Sequence, residues 1–539
     1  MEKEKKVKKD TEKEIEKTEK VDKKETKEFN IKKVCKRLVK KLATACKKIV
    51  DKTKDYIRFH KNQVIRTLTS LGILVAVVII AIIAKNIIVG AGIGNIGYPI
   101  IYQKSNNDVY MLEHGADVKD KEQVKKMQST GSIEYSNTSS RYILFKNNTD
   151  LYIYDVKKNE SKKIIEEVSY NYGFSTNDSY IFAQDNYGDL YAYDYKELNL
   201  LDNGISSIQA YSDTSIIYDK NGKLMYLSFD TTKEDKTSLV DAFTIADMSE
   251  NGKYVLYTNS NKVLYRYDVK KEKHEKISSG VEYFYCVDKS CKNFYYIKTA
   301  EKTTLEYYNG SKSIELASEV YDIVGTDLEN NRILFTKINK DKLSLYYVYK
   351  TKKAKLVTDE FDFGSSVKLT KDSIYYVNNE SKLMYVKVSG ASVGKAKEVA
   401  KEVQGTLTEY NNGVYYYKSI NEKSDATYYY TSGTKTTKIA DDIRKDQLTI
   451  SLDNEKIFYI KDMDGAVGTL SIFDGKESKK IAENVQSTLY VKGETIYYIA
   501  DYNDTTKTGT LYRYDGKKVE ISKDVMYIVT TTPNVQNNN

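Results

Sequence analysis

The chain has 539 residues, of which 30% are charged and 40% apolar, with 50 Tyr, no Trp, two Pro and four Cys. Pro and Cys are too scarce for a collagen or a disulfide scaffold, and the aromatic content excludes a wholly disordered chain. The net charge of +9 is concentrated in residues 1–66, which carry 24 Lys/Arg against 12 Asp/Glu. Because the remaining residues are close to neutral, the charge does not indicate a nucleic-acid partner.

The first 66 residues divide into two charged segments. Residues 1–30 mix Lys with Glu and contain almost no apolar side chains, which is typical of a solvated helix or of disorder. Residues 31–66 are basic and place Ile31, Val34 and Leu38 at helical spacing. This pattern predicts an amphipathic segment on the anionic inner leaflet, with membrane lipids as its partner. The alternative is that the segment docks a cytoplasmic protein.

An apolar segment follows at residues 67–89. Its first part, TLTSLGILVAVVIIAIIA, has 18 residues without a charge. The run through residue 89 is long enough to cross ~30 Å of hydrocarbon as a helix. The excess of basic residues before it predicts a single-pass signal anchor in the cell membrane, with a cytoplasmic N-terminus and extracytoplasmic residues 90–539. Residues 90–97 are expected to be a Gly-rich linker.

A strand-like segment recurs eleven times in residues 98–532, as in PIIY, YILF, SIIY, YVLY and TIYY. A turn signal such as DKNG (219–222) and a second strand such as KVLYRYDV (262–269) follow it. Four short strands per ~40 residues predict an all-β fold, a β-propeller whose Tyr side chains fill the space between blades. Because one ring usually has about four to eight blades, two joined propellers are favoured over one ring.

The two ends of this array indicate closure. No strand precedes Pro99, whereas DVMYIVTTT (524–532) has the pattern of an inner strand with no blade after it. Pairing of residues 525–529 with residues 100–102 would complete one blade and remove an open sheet edge. Residues 533–539 are polar and are predicted to form a disordered tail.

The repeats also carry a resemblance. SIYYVNNESKLMYVKVSG (373–390) and TIYYIADYNDTTKTGTLYRYDG (495–516) resemble blades of low-density-lipoprotein-receptor-type propellers and of uncharacterised bacterial membrane-anchored proteins. SENGKYVLYTNSNKVLYRYDV (249–269) resembles a TolB-type propeller repeat. The resemblance covers about residues 97–532 and implies the propeller fold. It implies no binding residues, because the receptor-type Tyr-Trp-Thr-Asp signature requires a Trp that this chain lacks.

Motifs for catalysis and cofactors match poorly. GASVG around Ser392 has the spacing of a nucleophile elbow, but no His follows it in the chain. GIGNIG (92–97) has dinucleotide-binding spacing without the required βαβ context. His60, His114 and His274 are far apart, and His60 is predicted to lie across the membrane from the others. No catalytic residue, metal ligand or cofactor is therefore predicted.

The four cysteines form two pairs. Cys35 and Cys46 lie on the apolar face of the juxtamembrane segment and are interpreted as small apolar residues. Cys286 and Cys291 flank a four-residue turn in CVDKSC, a separation compatible with a hairpin disulfide in an oxidising compartment. Two unlinked strand cysteines are the alternative.

These observations predict a non-catalytic binding or scaffold module at the cell surface or envelope. Its expected partner is an extracytoplasmic protein or polysaccharide. A hydrolase or lyase acting on envelope polysaccharide or peptide is one alternative, which requires a carboxylate pair or a triad at one propeller face. A transmembrane sensor that signals through residues 1–60 is the other.

Overall fold

The computed structural model describes residues 100–112, 124–127, 135–138, 142–230, 236–339, 342–451, 454–486, 489–492 and 495–533. The segments predicted at residues 1–30, 31–66, 67–89 and 90–97 lie outside the described residues. Within the described ranges, no helix has the length and apolar character needed to span a membrane. The helical element found there is a 3-10 helix, Val269–Lys271.

The described part of the chain is all-β, and its strands pair antiparallel except at one parallel pairing in the sheet that contains the first strands. The first seven strands are β1 (Ile100–Lys104), β2 (Val109–Leu112), β3 (Val124–Lys126), β4 (Tyr135–Thr138), β5 (Tyr142–Asn147), β6 (Asp150–Asp155) and β7 (Glu160–Ile165).

Five separate sheets follow, each with four strands in chain order. The first two are β8 (Val168–Phe174), β9 (Ile181–Asp185), β10 (Leu190–Tyr193) and β11 (Leu198–Asp202), then β12 (Ser207–Tyr211), β13 (Ser215–Lys220), β14 (Lys223–Ser228) and β15 (Lys236–Val240). The next two are β16 (Phe243–Met248), β17 (Tyr254–Asn259), β18 (Leu264–Asp268) and β19 (Lys273–Ser278), then β20 (Val281–Cys286), β21 (Phe294–Thr299), β22 (Thr303–Tyr308) and β23 (Ser313–Ser318). The fifth is β24 (Asp322–Asp327), β25 (Arg332–Asn339), β26 (Lys342–Tyr349) and β27 (Lys355–Phe361).

The remaining strands form larger sheets. One contains β28 (Val367–Leu369), β29 (Ser373–Val377), β30 (Leu383–Ser389), β31 (Ser392–Val393) and β32 (Lys397–Ala400). The next contains β33 (Gln404–Tyr410), β34 (Gly413–Ile420), β35 (Asp425–Ser432), β36 (Lys435–Ile450), β37 (Ile457–Asp464), β38 (Val467–Phe473) and β39 (Ser478–Gln486). The last strands, β40 (Leu489–Lys492), β41 (Thr495–Asn503), β42 (Thr508–Tyr514) and β43 (Lys518–Pro533), join the sheet of β1–β7.

Two of the larger sheets contain four-strand units that are joined by a long strand, which pairs in both units. β36 pairs with β35 and then with β37, so that it serves two units. β43 pairs in turn with β42, β1 and β4. The predicted repeats are confirmed at this level, because the second residue of each of the eleven recurring segments lies within a strand. The arrangement is consistent with propeller blades.

Local sequence explains the hairpins. β13 and β14 are joined by the two-residue loop Asn221-Gly222, with Lys220 opposite Lys223. Both loop residues have positive φ, 55° and 82°, which is the geometry of the tight turn that an Asn-Gly pair favours. The DKNG signal therefore predicted this turn correctly.

The predicted pairing between the two ends of the repeat array is also confirmed. Ile101 lies opposite Val529 and Tyr102 opposite Ile528 in the antiparallel pairing of β1 with β43. One boundary was wrong, because β43 extends through Pro533, which lies opposite Thr138 of β4 in a parallel pairing. Pro533 can end the strand because the last residue of a strand need not donate a ladder hydrogen bond.

The core lies between units rather than within one sheet. In the described residues, each of eleven apolar clusters combines side chains from two consecutive units. One cluster joins the two ends, with Ile100 and Leu112 packed with Tyr497 and Leu511. Tyrosine fills much of this space, since the largest fully buried side chains are Tyr102, Tyr154, Tyr218, Tyr295, Tyr296, Tyr347, Tyr375, Tyr376, Tyr410, Tyr416, Tyr459 and Tyr498.

Candidate functional site

A pocket of about 400 Å³ lies where the turns of the β24–β27 sheet meet those of the β28–β32 sheet. Its described lining includes Glu329, Arg332, Tyr347, Tyr349, Lys350 and Lys371. The β24–β25 turn, the end of β26 and the turns on either side of β29–β30 supply these residues. Polar groups from two neighbouring sheets thus converge on one opening.

Arg332 lines this pocket and is buried, with its side chain 6% exposed. Its Nε donates to Asp327 Oδ2 at 2.9 Å, and Nη2 pairs with the same carboxylate oxygen. Its Nη1 donates to the carbonyl oxygens of Thr370 and Lys371 in the next sheet, at 2.8 and 2.9 Å. Arg332 therefore bridges the two sheets while its charge is compensated by Asp327.

The carboxyl of Asp327 is held in its ionised form. Burial alone would raise its pKa, but hydrogen bonds from Arg332 and Asn330 outweigh that effect and lower the pKa below the ordinary value. A second carboxyl nearby behaves differently, because burial raises the pKa of Glu409 on β33. The two carboxyls interact electrostatically but belong to different sheets.

Two tyrosines hold backbone segments of the pocket lining in place through their hydroxyl groups. Tyr347 donates its hydroxyl to the carbonyl oxygen of Gly390 in the next sheet at 3.1 Å, and burial raises the pKa of this phenol. Tyr295, from the preceding sheet, reaches the carbonyl oxygens of Asn331 and Lys350 at 3.2 and 3.4 Å. Three consecutive sheets therefore hold the pocket in place.

The rim is cationic. Lys350 and Lys371 are exposed, and Nζ of Lys350 lies 5.2 Å from the centre of the Tyr349 ring. Glu329 is an exposed acidic residue on the same rim. Since Asp327 compensates Arg332, the two lysines leave the rim with a positive balance that suits an anionic ligand.

Sequence reasoning did not find this pocket. Its residues lie in four separate segments between residues 329 and 390, and no motif connects them. One signal was present, because Arg332 is one of five arginines after residue 98 in a chain that otherwise uses Lys. Arginine is the usual cation where a buried site needs several directed hydrogen bonds.

The structure does not bring together the candidate catalytic residues that the sequence offered. Ser392 lies in the short hairpin of β30 and β31, and His274 lies on β19 of another sheet. His274 Nδ1 is 2.8 Å from the hydroxyl of Tyr257, and burial lowers its pKa. His60, His114, Cys35 and Cys46 lie outside the described residues.

Cys286 and Cys291 are joined by a disulfide across the turn between β20 and β21, with a Cα–Cα distance of 4.9 Å. Cys291 is buried, and Cys286 is half-buried. The carboxylate of Asp247, on β16 of the preceding sheet, lies close to both sulfur atoms.

No protein family model matches the chain, and no curated protein matches it. Solved structures similar to it include the tricorn protease, at 10% identity and a TM-score of 0.28, covering 71% of this chain and 46% of that chain. A eukaryotic initiation factor matches at 8% identity and a TM-score of 0.38, covering 80% of this chain and 96% of that one. The dihydro-heme d1 dehydrogenase NirN matches at 11% identity and a TM-score of 0.29, covering 57% and 74%. The chain spans less than half of the tricorn protease, and similarities at this level establish neither a family nor a function.

Proposed function

We propose that this chain is a binding module and that the pocket beside Arg332 is a non-catalytic site that binds an acidic polysaccharide. The observation that carries this proposal is the pair of exposed lysines, Lys350 and Lys371, at the rim of the pocket. Their charges are not needed to balance Asp327, because that carboxylate pairs with the buried guanidinium of Arg332. Lysines on such a rim can pair with sugar carboxylates. The half-buried ring of Tyr349 offers an apolar surface for a sugar ring.

The lining favours binding over hydrolysis. Most glycoside hydrolases use two carboxyl groups on either side of the scissile bond. Among the described lining residues, Glu329 is the acidic one, and it is exposed. Asp327 is engaged by Arg332 and is held ionised, which does not suit a general acid.

Calorimetric titration of the detergent-solubilised full chain tests this assignment. The probe is a tetramer of uronic acid, compared with a neutral tetramer of equal length. We expect the uronic tetramer to bind and the double variant K350Q/K371Q to bind it about tenfold more weakly, since a tenfold change is ~1.4 kcal/mol.

The matched control is K270Q/K476Q, which changes two exposed lysines between the third and fourth strands of other units, the place that Lys350 has in its own unit. This control should retain wild-type affinity. Equal affinity of K350Q/K371Q and wild type, or equal binding of the neutral tetramer, would contradict the proposal.

We further propose that the units form one closed ring rather than two joined propellers. The support is that every described apolar cluster joins consecutive units, including the one between the last unit and the first. Two joined rings would need apolar contacts between units that are not consecutive. Electron micrographs of the purified chain should show one ring, and two smaller rings would contradict this inference.

Membrane attachment remains part of the same proposal. It is supported by the uncharged run at residues 67–84 and by the basic segment at residues 31–66, which suits an anionic inner leaflet. External protease added to intact cells should remove residues 90–539 and leave a small protected N-terminal fragment. Protection of the large fragment would contradict this orientation.

A further inference from the structure

A second group of reactive side chains lies away from the pocket. It consists of the disulfide Cys286–Cys291 and the carboxylate of Asp247, whose ligand-type atoms all lie within 4.8 Å of one another. Asp247 comes from β16, whereas the cysteines flank the turn between β20 and β21. The interface between two sheets therefore brings together three groups that are remote in sequence.

The two sulfur atoms differ in accessibility. Cys291 is 3% exposed and packs among apolar side chains such as Leu264 and Phe294. Cys286 is half-buried at the end of β20, beside a turn whose residues Asp288 and Lys289 are exposed. A thiol arriving from solvent consequently meets the sulfur of Cys286 first, and Cys291 is the shielded leaving group.

Asp247 has the surroundings of a proton donor. Its Oδ1 accepts the amide of Met248 at 2.7 Å, and burial raises the pKa of its carboxyl despite that hydrogen bond. A carboxyl with a raised pKa keeps its proton at a higher pH than an exposed one.

The charged side chains on the segments next to the disulfide form ion pairs or hydrogen bonds with residues other than Asp247. Lys289 pairs with Glu250 at 2.9 Å, and Lys262 pairs with Glu282 at 2.6 Å. Asp288 accepts hydrogen bonds from Ser290.

We propose that Asp247, Cys286 and Cys291 form a thiol–disulfide exchange site that takes a dithiol as substrate. One substrate thiolate attacks Sγ of Cys286, the bond between Cys286 and Cys291 breaks, and Cys291 leaves as a thiolate. Asp247 transfers its proton to that thiolate. The proposal goes beyond the binding function and is independent of the Arg332 pocket.

The second half-reaction releases the oxidised substrate and completes the reduction of the protein's disulfide. The other substrate thiolate attacks the substrate sulfur in the mixed disulfide, and Cys286 leaves as a thiolate that takes a proton from solvent. The dithiol loses two electrons and becomes a disulfide, and the protein gains two thiols. In the reverse direction the carboxylate of Asp247 accepts the proton of Cys291.

The test measures reduction of the disulfide by dithiothreitol in the full chain, followed by alkylation and mass spectrometry. Without reductant, neither cysteine should be alkylated. In the folded wild type, the rate divided by the reductant's thiolate concentration should fall as pH rises through the titration of Asp247. Asp247→Asn should reduce at least ~10-fold more slowly and should lose this pH dependence, because general acid catalysis usually contributes more than that factor.

Asp213→Asn is the matched control, because burial also raises the pKa of Asp213 but this residue is not part of the group around the disulfide. It should leave the rate and its pH profile unchanged. Melting curves of both variants identify any loss of folding. An unchanged rate in Asp247→Asn, or a wild-type disulfide that is reduced only after unfolding, would overturn the proposal and leave the disulfide as a structural crosslink.

Discussion

Two buried arginines bridge consecutive sheets in this protein, and their surroundings differ. Arg266, on β18, pairs with Glu275 at 2.7 Å, and its Nη1 donates to the carbonyl oxygen of Lys292 in the next sheet at 3.5 Å. The rings of Tyr254 and Tyr308 lie 4.9 and 5.1 Å from its guanidinium carbon. Two aromatic rings thus cover this cation.

Arg332 makes a similar bridge two sheets further along, but it borders an open pocket. Its carboxylate partner is also less accessible, since Asp327 is 19% exposed and Glu275 is 44% exposed. A buried arginine is therefore a structural bridge at both places. The candidate site lies at Arg332, where the pocket is open and the exposed Lys350 and Lys371 form part of its rim.

The largest expected effect concerns the closing pair of β43 with β1, which joins the last unit to the first as the two arginines join consecutive sheets. Truncation after Lys523 removes Val525, Ile528 and Val529, three buried side chains that contribute ~1.5–3 kcal/mol each. The truncated chain should melt at a much lower temperature and expose an unpaired edge on β1. Removal of residues 534–539 is the control and should leave the melting temperature unchanged, whereas equal melting of all three chains would contradict closure by β43.

Replacement of Arg332 by Met should have the next largest effect. It leaves the buried carboxylate of Asp327 without its cation, and breaking a buried ion pair in this way costs ~3–5 kcal/mol. Urea denaturation measures the loss. The double variant R332M/D327L should recover part of the stability, and no recovery would show that the lost hydrogen bonds to the next sheet dominate.

Arg266→Met should cost less, about 1–3 kcal/mol, although this arginine has more aromatic contacts. The reason is that Glu275 is nearly half exposed and water can solvate its charge when the arginine is gone. The same denaturation experiment compares the two variants directly. A larger loss for Arg266→Met than for Arg332→Met would reverse the interpretation of the two bridges.

The smallest effect is a pH dependence. The folded pKa of Asp327 lies below its ordinary value, so its contribution to stability is present above the unfolded pKa of ~3.9 and is lost as the pH falls through the folded pKa. In Arg332→Met the carboxyl loses its cation, and protonation relieves the cost of burying it. The stability gap between wild type and Arg332→Met should therefore narrow as the pH falls from about 7 to about 3.5, beginning at the raised pKa of Asp327 in the variant. A constant gap over this range would contradict this account.

The repeat could be predicted from the sequence because the strands of a unit pair with strands that are adjacent to them in the chain. Alternation of apolar and polar residues, Tyr-rich strands and turn signals such as DKNG recur at a regular interval. The pairing of residues 525–529 with the first strand could also be predicted from the repeats. The array lacks a strand at its start and has an additional strand at its end, and pairing the two removes an open sheet edge.

The pocket and the exchange site depend on contacts between units, which no local pattern encodes. Arg332 meets the carbonyls of Thr370 and Lys371 only because two sheets pack side by side. Asp247 meets Cys286 and Cys291 for the same reason. The sequence by itself thus determined the strands, their hairpins and the closing pair, through local geometry and side-chain alternation. Only the tertiary structure decided which turns of neighbouring sheets meet, because that depends on how whole sheets pack against each other.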